Sequence, residues 1–220
     1  MKIENEPAAY GLLAGLLVLL LGLLLAGCTR DVRGRDPKVA LESAVLITTT
    51  CITADGVTGW YGSGVIVNDH TVFTAAHIAD DPPDSVCVRR ATMVNGKTYL
   101  LAQNNSMPER DIASLTLVKG TFDPTYAIVY GPAPAFGERV CSMTAFPRFL
   151  WRCGDVQQTT EPPGDLYHTI VTEGGNSGSG VYDMQGRLVG IITHRWSCSN
   201  GQYCGGKLAT LEGYVTWLLE

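Results

Sequence analysis

A chain of 220 residues with 45% hydrophobic content and a formal charge of -5 is long enough for one substantial domain or two small barrels that share an interface. Sixteen lysines and arginines stand against 21 acidic residues, and no basic stripe runs along the chain, which excludes a nucleic-acid-binding surface. Its seven cysteines include no close Cys-x-x-Cys pair accompanied by suitable histidines, so we expect no metal and no cofactor.

In chain order, the first feature is apolar. Pro7 to Thr29 carry no charge and Leu12 to Leu25 is almost unbroken leucine, which places this segment in a membrane at some stage of its life. It ends in Leu25-Ala26-Gly27-Cys28, which resembles the lipobox of bacterial lipoprotein precursors and implies that Cys28 becomes the acylated first residue. Residues 1–27 then read as a signal peptide or membrane anchor and residues 28–40 as a tether, where Asp31 and Asp36 interrupt Arg30, Arg33, Arg35 and Lys38. The alternative is a retained single-pass helix. Its basic flank would put the following domain on the cytoplasmic side, where disulfides do not persist, so we expect an exported, membrane-anchored protein of the cell envelope.

From residue 41 onward, short apolar runs at close spacing replace helical periods and predict an all-β domain. The first half contains candidate strands Ala44 to Ile52, Tyr61 to Val67, Thr71 to Thr74, Val86 to Val94, Lys97 to Gln103 and Ile112 to Val118, with Asn95-Gly96 as a hairpin turn. Two segments carry chemistry. Thr71-Val72-Phe73-Thr74-Ala75-Ala76-His77 reads as a strand that delivers a histidine into a tight turn, and Asp111-Ile112-Ala113 reads as an acidic residue opening an apolar strand. Asp80 and Asp81 follow His77 too closely to reach the buried edge of its ring and read as surface charges, while His70 reads as a solvated turn residue.

Lys119 to Gly137, rich in glycine and proline, reads as a linker. Beyond it, strands are predicted over Glu138 to Ala145, Leu150 to Gln157, Tyr167 to Val171, Gly180 to Asp183, Leu188 to Thr193 and Lys207 to Thr210. The turn Glu173-Gly174-Gly175-Asn176-Ser177-Gly178-Ser179 places one serine where its hydroxyl and flanking amides can face a reacting carbonyl. Serine is a weak nucleophile. A histidine must take its proton, and a carboxylate must hold that imidazole in one tautomer.

His77, Asp111 and Ser177, in that order and within Thr74-Ala75-Ala76-His77, Asp111-Ile112-Ala113 and Gly175-Asn176-Ser177-Gly178, resemble the chymotrypsin-like serine peptidases from about Leu41 to the end. The resemblance implies two six-stranded antiparallel β-barrels, about 41–120 and 136–220, with the site in the cleft between them. It also implies a C-terminal helix, on which Leu211, Tyr214, Val215 and Leu218 form one apolar face. The expected activity is that of a serine endopeptidase acting on protein or peptide through an acyl-enzyme, with His77 as base, Asp111 as its orienting acid and the amides of Gly175 and Ser177 as the oxyanion hole. Val171, six residues before the nucleophile, stands at the pocket floor without a carboxylate, so the resemblance implies a neutral, apolar side chain there. His194 follows Gly190-Ile191-Ile192-Thr193, the strand that in this family lines the substrate cleft, so Thr193 and His194 are expected at the substrate pocket with Val171. Glutamyl endopeptidases carry a specificity histidine that by spacing matches Ile192 rather than His194, and His168 is expected to be a satisfied strand histidine, with an approach to the pocket as the alternative. Asn176 replaces the aspartate of zymogen-type relatives, which implies an enzyme that folds active. The rival expectation is a silent member of the fold serving as a binding module at the cell surface.

Setting Cys28 aside leaves six cysteines and fifteen connectivities. We expect local pairs: Cys51 with Cys87, Cys141 with Cys153 across a hairpin, and Cys198 with Cys204 across the Asn200-Gly201 turn.

Overall fold

Strand β1 (Ala44–Thr53) shows how this chain makes sheet: Val45, Ile47, Thr49 and Cys51 are buried at the period of two that a pleated strand imposes. The computed structural model describes residues 37–122, 128–157, 165–197, 203–211 and 213–219. The expected signal segment, Cys28 and Cys198 lie outside these residues.

β1 is followed by β2 (Gly56–Ile66), β3 (Thr71–Thr74), β4 (Val86–Met93), β5 (Thr98–Met107) and β6 (Ile112–Leu117), which close into an antiparallel barrel in the order β1-β2-β3-β6-β5-β4. A second barrel closes in the order β10-β11-β12-β9-β8-β7, from β7 (Arg139–Thr144), β8 (Leu150–Gln157), β9 (Asp165–His168), β10 (Gly180–Asp183), β11 (Leu188–Ser197) and β12 (Tyr203–Thr210). Closure leaves no open sheet edge. The expected pair of six-stranded barrels is therefore present.

Short helices fill the connections: α1 (Pro37–Ser43), α2 (Ala76–Ala79), a 3-10 turn at Pro108–Arg110, and α3 (Val215–Leu219). Each barrel has its own interior, with Ile47, Val72, Leu101 and Leu115 in the first and Val140, Val156, Val181 and Leu208 in the second. A third cluster joins them, in which Val65, Phe73 and Ile112 of the first barrel pack with Met143, Leu188 and Ile191 of the second. Leu211 and Leu218 add to it, so the segment after β12 buries its apolar residues against the inter-barrel core.

Some boundaries differ from the sequence expectation for local reasons. Strand β2 begins at Gly56 rather than Tyr61, because Thr53 pairs with Gly56 around a two-residue turn that extends the hairpin. Helix α1 starts ahead of the expected domain boundary at residue 41, since Ala40 is buried and the Ser43 hydroxyl bonds with the Tyr182 hydroxyl at 3.1 Å. Part of the expected linker pairs with barrel two, where Leu188 and Gly131 exchange backbone bonds with Val129 and Leu188. Asp80 and Asp81 are not simple surface charges either. Asp80 accepts from Gln103 at 2.9 Å and Ser106 at 2.7 Å, and Asp81 pairs with the buried guanidinium of Arg89.

Two disulfides join residues that face each other directly across strand pairs: Cys51 to Cys87 between β1 and β4, and Cys141 to Cys153 between β7 and β8. Two of the three expected pairings are thus found, and the third, Cys198 with Cys204, involves a residue outside the described ones. The two disulfides close loops spanning 36 and 12 residues, stabilisation of about 3.8 and about 2.8 kcal/mol in the loop-entropy account. Replacing both cysteines of the 51–87 pair by serine should lower the unfolding free energy in urea by about 3 kcal/mol or more, with the 141–153 pair costing less.

Candidate active site

The histidine enters the site through sterics at the end of β3. Thr74 and Ala75 are fully buried, Ala75 is extended at φ -74°, and the chain then turns into the single helical turn of α2, which leaves the His77 side chain 42% exposed. Asp111 arrives from the other direction. It caps the 3-10 turn in left-handed conformation, φ 53° and ψ 44°, a region that aspartate tolerates better than most residues. In this pose its carboxylate meets His77 twice. Oδ1 accepts the His77 backbone N–H at 3.0 Å, and His77 Nδ1 lies 2.8 Å from Oδ2. The backbone bond fixes the carboxylate, and the carboxylate fixes the ring on its Nδ1 edge, leaving Nε2 on the opposite side.

Ser177 is held by barrel two. Gly178 donates to Ile192 at 2.7 Å and Ile192 donates to Ser179 at 2.9 Å, which staples the turn to β11. Gly175 and Gly178 both have φ of 91°, which glycine alone adopts without strain, so the turn needs both. Buried Asn176 completes it: oriented by its partners, its amide nitrogen donates to the Phe146 carbonyl at 2.9 Å and its oxygen accepts from Glu173 N–H at 3.1 Å. A neutral amide satisfies this position, and no buried charge there asks for a cationic partner. Among the described residues, neither the Gly175 nor the Ser177 amide donates to a protein acceptor. Two open N–H groups flanking a serine are what an oxyanion site requires.

The serine hydroxyl itself points elsewhere than expected. Its Oγ donates to the Thr193 carbonyl at 3.0 Å instead of to His77. Catalytic hydrogen bonds often form only in the substrate complex, so this geometry leaves Ser177 a candidate nucleophile. Thr193 is nonetheless the link between the two halves. The next residue, His194, lies in an irregularity of β11 between Ile192 and Arg195, and bulges of this kind re-aim side chains. Its Nδ1 lies 3.4 Å from Asp111 Oδ2, and its ring centroid is 5.4 Å from that of His77.

Sequence reading missed Ser63, which is fully buried in β2 and spends every polar group on the site. Its N–H donates to Ser177 O at 2.7 Å, its hydroxyl donates to Gly175 O at 2.8 Å and accepts from Ala145 N–H at 3.2 Å, and its carbonyl accepts from Thr74 Oγ1 at 2.7 Å. One residue of barrel one therefore ties the strand before His77 to the turn that carries Ser177.

Thr193 is buried with its hydroxyl toward Lys207 O, and His194 turns to Asp111 rather than away from it. Val171 is 51% exposed, and Arg152 clamps its segment by donating to Val171 O at 3.0 Å and to the Glu173 carboxylate at 3.3 Å. Cys204 lies in β12 and its expected partner Cys198 outside the described residues.

His168 departs from the expectation of a satisfied strand histidine. It is fully buried, neither ring nitrogen has a partner in hydrogen-bonding geometry among the described residues, and its Cε1 crowds the face of Gly206 beside Thr172. Burial pushes its pKa down from 6.5 to about 4, against a smaller upward pull from backbone groups of Ile170 and His168 itself. The folded state thus favours the neutral ring, whereas the unfolded chain binds a proton below pH 6.5. This contribution to stability is complete above pH 6.5 and is lost as pH falls toward 4, amounting to about 3 kcal/mol. Urea unfolding at pH 7 and pH 4 should show that loss, and His168→Leu should remove it.

The family profile described as "Trypsin-like peptidase domain" matches residues 62–191, more than half of the chain and inclusive of His77, Asp111 and Ser177. The chain belongs to the trypsin-like peptidase domain family. Among solved structures it is similar to "HtrA-type protease AlgW with decapeptide", at 16% identity and a TM-score of 0.64, covering 83% of this chain and 64% of that one. That likeness supports the double-barrel fold, and this chain spans less than two thirds of that protein. No curated protein matches by sequence.

Proposed function

We propose that the protein is a serine endopeptidase of the cell envelope. Ser177 Oγ rotates from Thr193 onto the scissile carbonyl and attacks it, while His77 Nε2 takes its proton. Asp111 holds Nδ1–H and stabilises the imidazolium, and the amides of Gly175 and Ser177 receive the oxyanion. His77 then protonates the leaving amine. Water repeats the sequence to free the acyl group. The observation that carries this reading is the doubly held Asp111–His77 pair at 2.8 Å, reached through Thr193 and His194 from a serine flanked by open amides. The decapeptide named with the HtrA-type neighbour is in keeping with a peptide substrate.

The Cys28 lipobox supports a lipid anchor, with a retained apolar helix as the alternative. Acylation contributes about 0.8 kcal/mol per buried methylene, so lipid attached at Cys28 would be found by mass spectrometry of the mature N-terminus. Uncharged Val171 and neutral Asn176 add two expectations: cleavage after neutral, apolar residues, and activity without removal of a propeptide. Both are read by digesting an unbiased peptide library with a chain beginning near Arg35. A folded chain that cleaves nothing contradicts the peptidase reading, and cleavage confined to lysine and arginine contradicts the assignment of the pocket.

A further inference from the structure

Asp111 receives two imidazoles, not one. His77 Nδ1 stands 2.8 Å and His194 Nδ1 3.4 Å from the same oxygen, Oδ2, and the three donor atoms all lie within 4.8 Å of one another. Tetrahedral zinc bound at about 2.0–2.1 Å needs its ligand atoms about 3.3 Å apart, so small rotations bring this set into register. The partner with room to turn is the exposed one, since the side chain of His194 is 61% exposed while that of Asp111, 15% exposed, is held by the His77 amide. Two imidazoles and one carboxylate, with the fourth position open to solvent, form a donor set that suits zinc and does not suit magnesium or calcium, which favour oxygen ligands.

We propose that His77, Asp111 and His194 form an inhibitory zinc site, so that a divalent zinc ion reversibly silences the peptidase. The inference rests on the proposed function for its consequence, although not for the binding itself. A metal on His77 Nδ1 takes the lone pair at that edge and leaves the neutral ring carrying its proton on Nε2. That tautomer has no lone pair to accept the Ser177 proton. Zinc also neutralises Asp111, which otherwise stabilises the imidazolium. The ion is bound and released without any covalent change in the chain, so a chelator restores the original tautomer. The three ligands are 34 and 83 residues apart in sequence, which is why no spacing motif announces them.

The test uses the full chain in two arms. In the first, zinc is titrated by calorimetry into Ser177→Ala, and into the same chain carrying His194→Ala, with magnesium as the contrasting ion. One zinc per chain is expected for the former and none from magnesium. Apparent zinc affinity should fall for the latter by more than the roughly 10–100-fold that loss of an outer-shell partner costs. In the second, the ratio of peptide hydrolysis without and with zinc is measured for the otherwise unaltered chain and for His194→Ala, whatever their basal rates. Inhibition reversed by EDTA and lost in His194→Ala supports the proposal. Zinc binding of equal affinity in both chains of the first arm, or inhibition indifferent to His194, overturns it. Zinc bound through His194 in a chain that never hydrolyses peptide would leave the site standing and remove the peptidase reading instead.

Discussion

Ser177→Ala lowers kcat by about 10⁶-fold while leaving the fold intact. The two halves of that expectation have separate causes. Ser177 is half-buried and its hydroxyl makes one hydrogen bond, to Thr193 O, so its loss removes little packing. Under the proposed mechanism it removes the group that forms the acyl-enzyme, and the remaining rate is what open amides and substrate binding supply to attack by water, about 10³–10⁴ over the uncatalysed reaction. If the three side chains act as the proposed unit, His77→Ala should cost about as much, and the double substitution little more than either alone. Stopped assays of kcat and thermal unfolding of the three variants check both points. Additive losses would show that Ser177 and His77 do not share one step.

Gly178→Ala abolishes cooperative folding or lowers stability by more than about 4 kcal/mol, a large value for one methyl group. At φ 91° an L side chain is strained, and a Cβ there would run into the Ser63 carbonyl and Thr74 Oγ1. Neither neighbour is free to withdraw, because that carbonyl already accepts the Thr74 hydroxyl and the Ser63 N–H already holds Ser177 O. Gly174, four residues earlier in the same turn, meets nothing within 4 Å, so Gly174→Ala should stay within about 0.5 kcal/mol. Gly175 lies between these cases: its added Cβ would approach Phe146 at 2.6 Å and Tyr61 at 2.8 Å, aromatic side chains rather than backbone. Urea unfolding of the three alanine variants should rank them 174, 175, 178 in rising cost. Tolerance at 178 would mean that the barrels do not meet through Ser63.

The parts of the molecule that sequence made legible are those set by neighbours along the chain. Strands Thr71–Thr74, Leu150–Gln157 and Gly180–Asp183 have the bounds their apolar runs predicted, and the small residues before His77 announced its turn. Of the two described disulfides, Cys141–Cys153 was readable because its strands β7 and β8 are consecutive across a hairpin, whereas Cys51–Cys87 joins β1 to β4, neighbours only once the first barrel closes. What escaped depends on contacts between distant segments. Ser63 acts only once β2 meets the Gly175–Gly178 turn, although Gly62-Ser63-Gly64 inside a strand was a usable sign, since glycine there weakens a strand unless something approaches closely. Side chains at those glycines would meet Ile78, Val72 and Ile47. His194 is expected at the cleft because it follows the strand residues 190–193, and what sequence did not announce is the irregularity after Ile192 that goes with its approach to Asp111. His168 escaped because burial without a partner has no signature in sequence.

The central claim is that Ser177 is made nucleophilic by His77. Treating the folded chain with a fluorophosphonate and mapping the adduct by peptide mass spectrometry tests it most directly. The account predicts one phosphonylated residue, Ser177, with labelling lost in His77→Ala. A folded chain that stays unlabelled, or labels elsewhere, would contradict it.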